Sequence, residues 1–227
     1  KDLAAQAWKQ ALAKGGSGTI TLERSDEKTM RLALAELYRR QGAFDLAMRE
    51  YRLIQSLNKQ PPVMDEDPEL DLEMGRTFLA LKDPTNAAKS LESVAQSRTA
   101  TPATRKEAYL QQSLAYSESG LPEDLDRAKA SANKAGRMDP NDPRSTLVRA
   151  GVLLKTESML DREKAIELLS ALTNSDVEPK TASQAYDLLG TAYYKNGEYA
   201  RALRAFDYAV QLDPSNREAF ENQRAAA

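Results

Sequence analysis

Three sets of residues in this chain could support chemistry. Asp65, Glu66 and Asp67 are adjacent in the segment 58–67 (NKQPPVMDED), and hard cations are held by carboxylate oxygens. Calcium loops spread such ligands over about twelve residues, however, and this run does not. Acidic residues leading into Pro68-Glu69 read instead as the first turn of a helix, where the dipole favours them. Gly15-Gly16-Ser17-Gly18 has the composition of a phosphate cradle, yet no strand precedes it and no Gly-Lys-Ser/Thr follows. It is expected to be a flexible connection, with residues 19–22 extended. Glu36, Glu118 and Asp187 are possible bases, but no motif pairs any of them with an acid or a nucleophile. The 227 residues contain no His and no Cys, which removes the commonest general base, the commonest metal ligand and all thiol chemistry. The Ser-His-Asp triad goes with them. The chain is therefore expected to be no enzyme and to use no metal or cofactor.

The elements that carry these residues repeat. In residues 183–216, Tyr186, Leu189, Gly190 and Tyr193 share one helical face, Asn196-Gly197 makes a turn, and Ala202, Phe206 and Ala209 line a second helix before Asp213-Pro214. Weaker copies begin at 28, 68, 106 and 143. The first carries Leu34, Ala35, Tyr38, Gly42, Ala47 and Tyr51 at corresponding places, and the second Met74, Gly75, Phe78, Ala87, Leu91 and Val94. The third carries Tyr109, Ser113, Tyr116, Gly120 and Ala128, with three residues inserted around Leu121-Pro122-Glu123. The fourth carries Ala150, Leu153, Ala165, Leu169 and Leu172, with extra residues near 158–161. These five units, 28–67, 68–105, 106–142, 143–182 and 183–216, leave residues 1–27 and 217–227 as flanks.

The pattern resembles the tetratricopeptide repeat (TPR) family, whose unit is a helix-turn-helix of 34 residues. The resemblance implies an all-α, right-handed superhelical solenoid of about twelve helices in antiparallel pairs. Ala4, Trp8 and Ala11 fit the second helix of a preceding repeat, and Asn216 with Phe220 fits the start of a last one. The flanks then either cap the array or mark a chain cut from a longer one, whose open ends could self-associate. Gly190, Gly75, Ala35 and Ser113 are expected where paired helices come closest, facing Ala202, Ala87, Ala47 and Ala128.

In that family the first helix of each unit lines a concave groove that holds a partner protein or peptide. Carried over, the groove set begins with Leu32, Glu36, Arg39 and Arg40, then Leu72, Arg76 and Leu79. Leu110, Leu114 and Glu118 follow, then Leu147 and Lys155 with Arg144, Gly151 and Leu154, and finally Asp187, Tyr194 and Lys195. The Lys and Asn with which some members clamp a terminal carboxylate are missing. Signs balance in this set, and 32 basic against 34 acidic residues leave the chain at −2, so no nucleic-acid partner is expected. Its leucines either form an apolar stripe open to an amphipathic segment or pack against neighbouring helices. The expected role is a non-catalytic protein-interaction scaffold. The alternative implied by the resemblance is a module of a bacterial envelope or exopolysaccharide-export machinery that recruits an export or polymer-modifying enzyme. Periplasm and cytoplasm fit equally, and no membrane-spanning segment is expected.

Overall fold

The computed structural model describes residues 2–19, 21–60, 66–216, 221, 222 and 225. Eleven helices and no strand occur among them. The chain divides into two compact units, 1–104 and 105–227. The first holds α1 (Asp2–Gly16), α2 (Arg24–Arg40), α3 (Phe44–Asn58), α4 (Pro68–Ala80) and α5 (Pro84–Gln96). The second holds all but the first turn of α6 (Pro102–Glu118), then α7 (Pro122–Met138), α8 (Pro143–Lys155), α9 (Met159–Thr173), α10 (Pro179–Lys195) and α11 (Tyr199–Leu212).

Each helix pair is closed by a connection of three residues: 41–43, 81–83, 119–121, 156–158 and 196–198. Connections this short force the two helices antiparallel. Gly42, Gly120 and Gly197 take φ of 74°, 75° and 76°, and Lys82 occupies the same left-handed position at 59°. There the chain reverses so that the next N–H reaches back to a helix carbonyl: Ala43 to Tyr38, Asp83 to Phe78 and Glu198 to Tyr193, each at 2.9 Å. At the other ends Pro68, Pro84, Pro122, Pro143 and Pro179 start helices where a missing N–H costs no bond. Asp67, Asp83, Asp142 and Ser158 cap α4, α5, α8 and α9 by accepting a backbone N–H.

Of the inserted residues expected inside the third and fourth pairs, only Leu121 and Ser158 fall in the connections, which are no longer than the others. Pro122 and Glu123 belong to α7, which runs 17 residues, and α9 starts at Met159 with Ser158 as its cap. Three first helices also begin a turn before the repeat starts read from sequence: Arg24 against 28, Pro102 against 106, Pro179 against 183. The glycine run is likewise no loose connection. Gly15 and Gly16 end α1, Gly18 takes φ 72°, and a Cβ on Gly15 would lie 2.6 Å from Leu22 Cδ1. A helix C-terminus repels phosphate, so the cradle is absent on electrostatic grounds as well.

Close approach of paired helices builds each core. A Cβ on Gly75 would fall 2.6 Å from Leu91 Cγ, and one on Gly190 would fall 2.5 Å from Phe206 Cε1. The nearest atoms to these glycines thus belong to the large side chains Leu91 and Phe206. Ser113 fits the expectation better, since its hydroxyl donates to the Ala128 carbonyl at 3.0 Å. Ala35, Ala47, Tyr51, Ile54, Leu70 and Met74 form one buried cluster in the first unit. Ala150, Ala165, Leu169, Leu189, Tyr193 and Phe206 belong to another in the second. On the first unit's edge, α1 buries Ala5 and leaves Trp8 half-buried, walling a hollow of about 370 Å³ with Ala33, Glu36, Leu37 and Arg40. No described helix is long and apolar enough to cross a membrane. Phe220 and most of the last flank lie outside the described residues; Glu221, Asn222 and Ala225 are helical.

Candidate functional site

A recurring tie positions the first helices. Asp67, the cap of α4, accepts the Lys28 ammonium at 2.7 Å and the Asn58 amide at 2.7 Å. Asp142, the cap of α8, accepts the Lys106 ammonium at 3.1 Å and the Ser145 hydroxyl at 2.7 Å. One lysine at the start of a first helix thus fixes the start of the next first helix along. Burial alone would raise the Asp142 carboxyl, but the Ser145 hydroxyl, the Lys106 ammonium and the Arg144 N–H outweigh it and hold it below the usual carboxylate range. Lys106 is raised in turn, chiefly by its hydrogen bond to Asp139.

Glu66 and Asp67 therefore have protein partners. Glu66 accepts the Ser97 hydroxyl at 2.6 Å and the N–H groups of Arg98 and Thr99, which lower its carboxyl. Asp65 lies outside the described residues. These bonds tie both carboxylates to neighbouring donors and order the segment.

Of the two readings of the leucines, burial favours packing against neighbouring helices. Leu72, Leu110 and Leu154 are core residues, at 7%, 1% and 3% exposure. Leu32 and Leu147 are half-buried and pack on the clusters of their own units, and Leu79 and Leu114 are half-buried as well. A leucine at these helix positions finds apolar cover inside the protein before any partner arrives. In the first unit the charges are also consumed internally. Arg40 pairs with Glu36, Arg39 with Glu73 at 3.3 Å, and Arg76 with Glu73 at 2.5 Å.

The second unit keeps an open groove of about 770 Å³. Leu114 and Ser117 of α6 form one wall, and Arg144, Leu147, Val148, Gly151 and Lys155 of α8 the floor. Lys180, Gln184, Asp187 and Leu188 of α10 form the other wall, closed by Asp213, Ser215 and Asn216. Leu114, Leu147, Lys155 and Asp187 of the groove set come together here. Glu118, Tyr194 and Lys195 do not line it. Glu118 is exposed, Tyr194 is 46% exposed with its ring edge-on to Tyr199 at 5.4 Å, and Lys195 donates to the Leu154 carbonyl. Asp187 is buried and accepts the Asn222 amide at 3.0 Å, which spends one of its oxygens on structure. Arg144 is held by two bonds to Glu107, at 2.6 and 3.0 Å.

Reading from sequence missed Lys180, Leu188 and the 213–216 wall. Lys180 fell outside a frame that began at 183, although Pro179 is a sequence signal for a helix starting there. The 213–216 wall depends on Asn216 donating to the Ser183 hydroxyl at 3.0 Å, a contact with no local signature.

Tetratricopeptide repeat family models match residues 183–216 and residues 1–61. No curated protein matches the chain by sequence. Among solved structures, a thermophilic TPR protein of Thermus thermophilus is 21% identical with a TM-score of 0.64, over 88% of this chain and 98% of that one. A tetratricopeptide repeat protein of Parabacteroides merdae is 17% identical with a TM-score of 0.62, over 99% and 78%. YrrB, described as a TPR protein with an unusual peptide-binding site, is 15% identical with a TM-score of 0.59, over 97% and 99%. At these identities the likeness is one of fold. Paired antiparallel helices, three of the pairs joined through a left-handed glycine, the family models at both ends and solved TPR proteins along most of the length agree: the chain belongs to the tetratricopeptide repeat superfamily.

Proposed function

We propose that this chain is a non-catalytic scaffold that holds a segment of a partner protein in the groove of its second unit. TPR proteins act generally as protein-interaction scaffolds, and the groove supplies what such a role needs. The observation that carries the reading is the groove itself, open and walled by three first helices, with an apolar floor of Leu147 and Val148 and cations above it. A concave surface with a few placed polar groups is the usual form of a binding site. Of the possible bases, Glu36 is paired with Arg40 and Asp187 is buried on Asn222, which supports the non-catalytic reading.

Photo-crosslinking from chosen positions tests the proposal. A benzophenone side chain replacing exposed Gln184, which lines the groove, is compared with one replacing exposed Lys164 on α9. One defined partner segment, mapped by mass spectrometry and joined only from position 184, is the expected result. Equal or stronger joining from position 164 would place the partner elsewhere and end the groove reading.

A further inference from the structure

Gly151 lies in the middle of α8, and nothing among the described residues requires a glycine there. Its φ is not left-handed, and a Cβ built on it meets no atom of the described residues within 4 Å. Gly75 and Gly190 differ, being pressed against Leu91 and Phe206, and Gly42, Gly120 and Gly197 turn the chain. Glycine within a helix is costly relative to alanine because it gives up more backbone freedom on folding. A residue that breaks its local rule without internal compensation points to function. What the missing Cβ provides is room for another main chain to come close.

The surroundings indicate which chain. Leu147, Val148, Gly151 and Lys155 follow one another along a single stripe of α8. Lys155 donates to the carbonyl and hydroxyl of Ser117, at 3.0 and 3.1 Å, and to no carboxylate among the described residues. Lys180, across the groove, makes no ion pair among the described residues. The two lining carboxylates are already engaged. Asp187 holds Asn222, and Asp213 holds the Ser215 hydroxyl and N–H, which lower its carboxyl ahead of the more distant Lys180. Cations without carboxylates in direct contact therefore stand over an apolar floor with one methyl-sized gap. A helical partner would hold its backbone away from that gap by the width of its own side chains, whereas an extended segment can lay its backbone into it. A nucleic acid would bring a dense row of phosphates against Asp187 and Asp213.

We propose that the groove takes an extended, acidic peptide segment whose main chain crosses α8 at Gly151 and whose carboxylates meet Lys155 and Lys180. This rests on the groove being the partner site. The test is selection of a random displayed peptide library on the full chain, followed by affinity measurements with the retained peptides. Retained peptides should be rich in Asp and Glu. Gly151→Ala should weaken them about tenfold or more while raising the melting temperature by about 2–4 °C, since the helix gains and only the occupant loses. Lys155→Glu should also weaken them about tenfold and flatten the salt dependence. Retained peptides that are neutral or basic, yet lost on Gly151→Leu, would overturn the acidic chemistry and leave the groove standing. Peptides indifferent to Gly151→Leu would overturn the groove reading too. So would an empty selection, or a preference for single-stranded DNA over every peptide.

Discussion

Replacing Gly190 with alanine isolates one contact and tests how the pairs are packed. The added Cβ would lie 2.5 Å from Phe206 Cε1, 2.6 Å from Cδ1 and 2.9 Å from Cζ, whereas ordinary contact begins near 3.4 Å. The ring must retreat by about an ångström, within a cluster where Phe206 is 2% exposed and has Ala202 and Tyr193 as fellow members. Overpacking of this kind costs ~1–3 kcal/mol. Alanine returns ~0.8–1.0 kcal/mol through helix propensity, so the net loss is ~1 kcal/mol. Gly151→Ala makes the same chemical change on α8 with no clash and should gain nearly the whole propensity term. Two identical substitutions in neighbouring first helices thus differ in sign. Native-state hydrogen exchange of the α10 and α11 amides reads the loss where it occurs, which matters because stability in a repeat array is close to a nearest-neighbour sum. In a Phe206→Leu background the clash has no ring to meet, and Gly190→Ala should then be stabilising. Protection that rises in Gly190→Ala, or a loss that persists without the ring, would refute the packing described for this pair.

Two further perturbations follow from the turns and caps. Lys82 holds φ 59° where three other turns use Gly42, Gly120 and Gly197, so Lys82→Gly should raise the unfolding free energy by ~0.5 kcal/mol, read as a higher urea midpoint: ~1 kcal/mol of relieved strain less ~0.5 kcal/mol of added unfolded-state freedom. A lower midpoint would show that the lysine side chain contributes more than its backbone costs. Asp142→Ala should cost ~1–2 kcal/mol at neutral pH through the lost cap and the lost Lys106 tie. Because the folded carboxyl sits below its unfolded value near 3.9, its charge-dependent contribution is present above that pH and disappears as pH falls through the folded value. Stability curves for the native chain and Asp142→Asn should converge in acid, and a constant gap down to pH ~2 would reject that assignment.

Gly190, Gly75 and Ser113 were legible because close helix approach tolerates only small residues, and that demand is written into residue size. Their partners were not, since Ala202 and Phe206 both repeat at helical spacing and only coordinates decide which one crosses the glycine. Leu72 and Leu110 leave both readings open in the sequence for a related reason. Hydrophobicity reports that a side chain avoids water, and says nothing about whether a neighbouring helix or a partner covers it. The extra helical turns were partly readable, as Pro102 and Pro179 announce a first helical position, while α2 starts with no such residue. Gly151 was visible as a glycine, but its meaning required knowing that the space beside it is open.

Trp8 gives the chain an uneven optical readout. It is the only tryptophan, and it sits at the α1–α2 hollow on the edge of the first unit. Indole emission therefore samples one boundary of one unit, whereas ellipticity sums over every helix. Opening of α1 alone would redden the emission and leave most of the helical signal intact. Two tyrosine pairs sit toward the opposite end of the chain: Tyr186 stacks near Tyr208 at 5.3 Å, and Tyr194 meets Tyr199 at 5.4 Å. Exciting each chromophore in turn thus weights the two units differently, without a label attached to either.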